Sequence, residues 1–142
     1  MIHFQLVSLT GKKFDDDVYE VTLPTLEGEI GVLPGHMPLV SVATNGAIAI
    51  RKDARTTDAN REFFAISGGV IEVSNNTLRV LVDEADHADD INEAEAEAAM
   101  QRAQELKAQA QDEVSLEHAK QLVDRHAVRL QVANLRRQNH RK

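Results

Sequence analysis

FFAISGGVIEVSNNTLRVLVDE, residues 63–84, carries the pattern that decides the fold class. Leu78, Val80 and Val82 recur at every second position, so they share one face of an extended strand. Gly68-Gly69 and Asn75-Asn76 interrupt the apolar runs, and both pairs tolerate the positive φ that turns require. They read as turns between strands. Toward the N-terminus the same grammar continues. Tyr19, Val21 and Leu23 line one face with Glu20 and Thr22 on the wet side, while Gly28, Pro34-Gly35 and Asn45-Gly46 supply further turns. All 7 glycines and all 3 prolines stand before Val70. Short alternating strands at this turn density predict an antiparallel sandwich or barrel from Ile2 to about Asp83.

The grammar changes after Asp83. DEADHADD, residues 83–90, is a polar joint, and residues 89–142 contain neither Gly nor Pro, which predicts helix. Asp89 or Asp90 is placed to cap a first helix whose early Glu93, Glu95 and Glu97 suit its positive N-terminal end. Its apolar face of Ala96, Ala99, Ala103, Leu106 and Ala110 is mostly methyl groups and buries little area. A second helix carries Leu116, Ala119, Val123, Ala127, Leu130 and Ala133 at spacings of three and four, a fuller core face. The turn between them is expected near residues 112–115, where no strong breaker stands. One continuous helix is the alternative, and two such arrangements of a chain can differ by only a few kcal/mol.

Charge divides the helical half. Residues 88–113 hold 8 acids against 2 bases, a net −6, whereas residues 114–142 hold 2 acids against 7 bases, a net +5. The two helices attract each other when folded together, and an acidic partner can compete for the second. At 100° per residue, Arg125, Arg129 and Arg136 fall within about 40° of one another, with His118 in the same sector. This stripe reads in two ways. It is a solvated face whose arginines suit the C-terminal end of a helix, or a docking surface for an acidic segment, weakened by salt.

Composition removes several function classes. The 142 residues can build one core, or one small core with an appendage. A net charge of −7 and an aromatic content of 4% disfavour a nucleic-acid binder, which needs cations for phosphates or rings for bases. Without cysteine there is no disulfide, thiolate metal site or thiol nucleophile. No apolar run approaches the roughly 20 residues that span a bilayer, and the N-terminus lacks a signal-like architecture. Any membrane association is therefore expected through a partner. LPGHMPL, residues 33–39, has a tight turn's glycine and proline but no phosphate-cradling lysine, and G-x-S-x-G and H-E-x-x-H are missing. Asp83, Glu84, Asp86, His87, Asp89 and Asp90 offer oxygen ligands for a hard cation, yet without EF-hand spacing they read more simply as a joint with helix caps. His126 lies by an apolar face and reads as packed at its edge rather than catalytic. No catalytic, cofactor-binding or metal-ligating residue is assigned, and no cofactor is expected.

Residues 22–50 (TLPTLEGEIGVLPGHMPLVSVATNGAIAI) and 63–91 (FFAISGGVIEVSNNTLRVLVDEADHADDI) together resemble the N-terminal domain of bacterial-type F-type ATP synthase epsilon subunits. EGEIGVLPGHMPL, Asn45-Gly46, Ile66-Ser67-Gly68-Gly69 and Val82-Asp83-Glu84-Ala85 occur in that family's order, and the Ala-, Glu- and Arg-rich helical pair follows. The resemblance implies a mainly β N-terminal sandwich of about ten strands in two sheets over residues 1–87. A mobile antiparallel two-helix hairpin over residues 88–142 completes it. It implies a non-catalytic rotor subunit of a proton-translocating synthase, attached to the gamma subunit and resting on the c-ring, peripheral on the cytoplasmic face of the cell membrane. The loop from Glu27 to His36 then faces the c-ring, with Glu29 and His36 as contacts, while Gly28, Gly31, Pro34 and Gly35 shape the turn that presents them. The resemblance also implies a switch, in which the hairpin folded down permits ATP hydrolysis. Extended along gamma into the head of alpha and beta subunits it would, by the same resemblance, obstruct hydrolysis, with Arg125, Arg129 and Arg136 expected to meet an acidic segment of beta.

Some members of that family bind ATP on the folded hairpin through an Ile/Leu-Asp-x-x-Arg-Ala pattern. The matching run here is Val114-Ser115-Leu116-Glu117-His118-Ala119, in which Ser115 replaces the acid and His118 the arginine. A strong acceptor and a permanent cation are thereby lost, and no ATP site is expected. The alternative function is a free-standing β-sandwich adaptor that binds an acidic protein through its basic helix.

Overall fold

Asn75 and Asn76 adopt φ of 51° and 59°, the left-handed pair of a tight hairpin turn, and the two longest strands meet there. The computed structural model describes residues 1–57 and 60–140. The strands are β1 (Ile2–Ser8), β2 (Gly11–Val18), β3 (Glu20–Thr25), β4 (Gly28–Val32), β5 (Leu39–Ala43), β6 (Gly46–Arg51), β7 (Glu62–Ser74) and β8 (Thr77–His87). A 3-10 turn, Ala88–Asp90, leads to α1 (Glu93–Gln109) and α2 (Glu113–His140). Arg141 and Lys142, the last cations of the basic run, lie outside the described residues. No described helix is long and apolar enough to cross a membrane.

Gly68-Gly69 is not a turn. It lies inside β7, whose pairing with β8 runs from Phe64 opposite His87 to Ser74 opposite Thr77. Gly68 instead receives a side-chain substitute for a ladder bond, its N–H donating to Asn45 Oδ1 at 2.8 Å. At Gly69 the strands approach so closely that a Cβ would stand 2.0 Å from the Leu81 carbonyl oxygen. The missing side chain lets the paired ribbon bend, so β7 and β8 serve both layers of the sandwich. One layer pairs β2, β1, the first part of β8, the second part of β7, and β5; the other pairs the remaining parts of β8 and β7 with β6, β3 and β4. The ten or so strands implied by the resemblance are realised as eight because two of them are counted in each layer.

Alternation sends Ile2, Phe4, Leu6, Val21, Leu23, Ile71, Val73, Leu78 and Val80 into one core between the layers. Phe4, Phe14, Phe64 and His87 form a chain of ring contacts through it, with centroids 5.4, 6.2 and 4.9 Å apart. Tyr19 does not join this face as expected. The chain bends at Tyr19 between β2 and β3, and Val18 takes the buried place.

Along β6 and the first half of β7 both faces are apolar. Ile48, Ile50, Phe64 and Ile66 point into the sandwich, while Ala47, Ala49, Phe63 and Ala65 point out into a second apolar cluster that Val128, Val132 and Leu135 enter from one face of α2. Helix α2 therefore lies on the sheet, and α1 packs chiefly on α2. The expected helical faces are corrected accordingly. Ala96 and Ala103 of α1 are buried but Leu106 is exposed, and Val132, outside the expected stripe, is the fully buried anchor of α2. Asn92, not Asp89 or Asp90, caps α1, its side chain accepting from the Glu95 N–H at 3.1 Å. The interhelical turn falls at residues 110–112, earlier than expected, because Asp112 accepts from the Ser115 N–H at 2.7 Å and so starts α2. That bond holds the Asp112 carboxyl below its ordinary range.

The two glycines give a paired test. Gly69→Ala is expected to cost about 3 kcal/mol or more in urea unfolding, since backbone must move. Gly68→Ala, whose added Cβ meets nothing nearer than 3.8 Å, is expected to change stability several-fold less. Equal losses would show that the close approach at Leu81 is not what requires glycine.

Candidate functional site

Strand β8 ends in a row of acids, and α2 runs beside it in the same direction. Glu84 and Asp86 are two residues apart on the strand, about 6.7 Å, and Arg125 and Arg129 are four apart on the helix, about 6 Å. The near-equality lets successive cations meet successive carboxylates. Arg125 Nη1 donates to Glu84 Oε1 at 3.3 Å, and Arg129 Nε lies 3.4 Å from Asp86 Oδ2. Arg136 pairs with Asp89 of the 3-10 turn, and Arg137 Nη1 donates to Glu93 Oε2 of α1 at 3.1 Å. Arg125, Arg129 and Arg136 are thus brought together as predicted from helical spacing, but they are engaged within the chain rather than solvated.

Magnitudes separate the roles of the two contacts under α2. Each ladder pair is partly exposed, so it contributes about 0.2–1 kcal/mol and is screened by salt. Burying one valine such as Val132, at 0% exposure, is worth about 1.5–3 kcal/mol. The apolar seam therefore supplies most of the adhesion, and the ladder fixes the axial register. On the same helix sits His126, whose Nδ1 is buried with no hydrogen-bond partner among the described residues. Burial lowers its pKa first, and Arg129, Arg125 and Arg102 lower it further against an opposing pull from Glu84.

The other predicted site residues lie elsewhere. Glu29 is exposed on edge strand β4 opposite Pro24, and His36 sits in the turn after β4, its ring nitrogen Nδ1 donating to the Met37 carbonyl at 2.7 Å. No hydrogen bond or ion pair among the described residues joins the two. The turn is tied to the far hairpin by the Gly35 N–H donating to Asn76 Oδ1 at 2.9 Å, and it presents Leu33 and Met37 to solvent. Of the run Val114–Ala119 at the start of α2, Val114 and His118 are exposed.

Two features escaped the sequence reading. The joint acids Glu84, Asp86 and Asp89 are partners for α2, a role signalled by opposite charge in segments 41 to 47 residues apart. Val42, Val70 and Leu81 stand side by side on neighbouring strands β5, β7 and β8, all exposed, forming an apolar row on the outer face. Only strand register reveals it.

Residues 1–88 match the family model described as "ATP synthase, Delta/Epsilon chain, beta-sandwich domain". The chain belongs to the ATP synthase delta/epsilon family. Relatives named ATP synthase epsilon chain include one from Herpetosiphon aurantiacus, 35% identical with 96% of each chain covered. Another, from Halalkalibacterium halodurans, is 34% identical over 93% of this chain and 96% of its own. A third, from a Roseiflexus species, reaches 43% identity over 69% of this chain and 67% of its own. A chain in the structure of the Euglena gracilis mitochondrial ATP synthase (OSCP/F1/c-ring) shares the fold, with a TM-score of 0.77 at 24% identity, covering 94% of this chain and 81% of that one. Epsilon chains of the synthase are non-catalytic, in keeping with this family membership.

Because the seam outweighs any one rung, Val132→Ala should weaken α2 docking by about 1.5–2 kcal/mol. Arg129→Gln should weaken it by less than about 1 kcal/mol, and that loss should vanish at high salt. Amide exchange along residues 125–135 reads both.

Proposed function

We propose that this chain is a central-stalk subunit of a proton-translocating F-type ATP synthase that joins the catalytic head to the c-ring and restrains ATP hydrolysis through α1 and α2. The observation that carries the restraint is the ladder. Its arginines are held by exposed carboxylates of the same chain, so an acidic segment of similar spacing on a beta subunit can replace Glu84, Asp86 and Asp89 at little net cost. The small alanine contact between α1 and α2 and the breaker-free turn at residues 110–112 favour a hairpin that opens. In this reading residues 1–87 form the unit that stays on the rotor and residues 88–142 the mobile regulatory unit, with alpha and beta subunits receiving the extended helices.

Coupling needs two further surfaces. The apolar row of Val42, Val70 and Leu81 suits permanent docking against the gamma subunit, since exposed β-branched and leucine side chains on adjacent strands are costly to leave wet. Glu29 and His36, with Leu33 and Met37 beside His36, are assigned to the c-ring, where a rigid turn presents both polar and apolar contacts. The chain then sits peripherally on the cytoplasmic face of the membrane through the complex. Relatives covering nearly all of the chain and named ATP synthase epsilon chain support the reading.

Three measurements test it. Reconstituted catalytic head should hydrolyse ATP several-fold faster with a version ending at His87 than with the full chain, and no increase would remove the inhibitory role. Leu81→Asp should abolish co-purification with gamma and the c-ring while the monomer stays folded. Isolated protein should show no saturable micromolar binding of ATP, given Ser115 and His118 at the positions where an acid and an arginine are required.

A further inference from the structure

His126 is a half-buried histidine of α2, and its surroundings are unusual in sign. From α1 it is faced by Arg102, from its own helix by Arg125 and Arg129, and from β8 by Glu84, while Asp86 of β8 is engaged by Arg129. Three guanidinium groups thus oppose a charge on it, and the carboxylates Glu84 and Asp86 are already committed to ladder pairs. Its Nδ1 is shut away from solvent and finds no acceptor or donor among the described residues. A neutral imidazole fits such a place. An imidazolium there is left with a buried, unpaired N–H and repelled by its neighbours.

We propose that His126 is a proton-sensitive release element for α2: protonation of its ring at the junction of α1, α2 and β8 unseats the helix from the sheet. The proposal concerns the chain by itself and stands whether or not a beta subunit takes the freed arginines. Its sign follows from linkage. The docked state holds the His126 pKa below the ordinary value of 6.5, and the released state restores it. The released form therefore binds more protons, so docking is fully supported above the released-state pKa and is lost as pH falls through the docked-state pKa. His3 moves the opposite way, since its ring is held by Asp17 at 2.7 Å and Asp15 at 2.6 Å and its pKa is raised. Acid therefore favours the β1–β2 hairpin contact while it opposes the α2 contact. A pH response of α2 alone cannot come from a general loosening of the fold.

The chain has no cysteine, which makes selective labelling direct. Thr44 and Gln131 line the same groove between the β5–β6 link and α2, so nitroxides on Thr44→Cys and Gln131→Cys report docking as a short distance. In the full chain, the short-distance population should fall reversibly between pH 7.5 and pH 5.5. The docked-to-released ratio should change up to about tenfold per pH unit traversed between the two pKa values. His126→Gln should hold at pH 5.5 the population that the unsubstituted chain shows at pH 7.5, and His126→Lys should show the acid distribution throughout. A distance distribution indifferent to pH overturns the proposal, as does a His126→Gln variant that responds like the parent. Should the lysine variant fail to fold, the comparison between parent and glutamine variant decides by itself.

Discussion

The contact on which the remaining architecture depends is the close approach of Gly69 to the backbone of Leu81. It allows a 13-residue strand and an 11-residue strand to stay paired while bending from one layer into the other. A side chain at Gly69 would force the ribbon apart or flatten it, and the two layers would no longer close on Phe4, Leu23, Ile71 and Val80. The bend also aims the end of β8, with Glu84 and Asp86, along the outer surface where α2 arrives. A single absent Cβ thus conditions the core and the seat of the helix together.

On that outer surface the chain uses two kinds of contact with different ranges and strengths. The alanines 47, 49 and 65 keep the sheet face low enough for Val128 and Val132 to reach it, so the seam is dry but thin. The ion pairs beside it contribute less energy and more direction, because strand and helix rises match over two and four residues. An element held in this way is fixed in place without being fixed permanently. Its adhesion lies in a range that a competing acidic surface, salt or a proton on His126 can overcome, which suits a regulatory helix better than a structural one.

The same economy appears at the opposite surfaces of the sandwich. Val42, Val70 and Leu81 expose apolar area where a folded monomer gains nothing by it, whereas the turn carrying His36 is braced by Asn76. One surface is shaped for adhesion and the other for presentation. Both lie on strands and turns rather than on the helical hairpin, so a change in the helices leaves them intact. The rotor attachment and the regulation proposed above are therefore physically separable in one short chain.

Local chemistry alone determined much of this. Period-two apolar residues such as Leu78, Val80 and Val82 dictated strands, the absence of Gly and Pro after Val70 permitted helices, and 100° spacing put Arg125, Arg129 and Arg136 on one face. Those rules act between residues a few positions apart, which is why they can be read along the chain. What they could not supply was the partner across space. Gly68-Gly69 looks like a turn until Leu81 is seen beside it, and Tyr19 looks like core until the chain bends there. Asp89 and Asp90 look like caps until α1 starts three residues later at Glu93. The joint acids look like linker until Arg125 and Arg129 lie against them, and His126 looks like an ordinary edge histidine until Arg102 approaches from another helix. Tertiary structure decided these because charge, burial and close packing depend on distance in space, and distance along the chain does not set it.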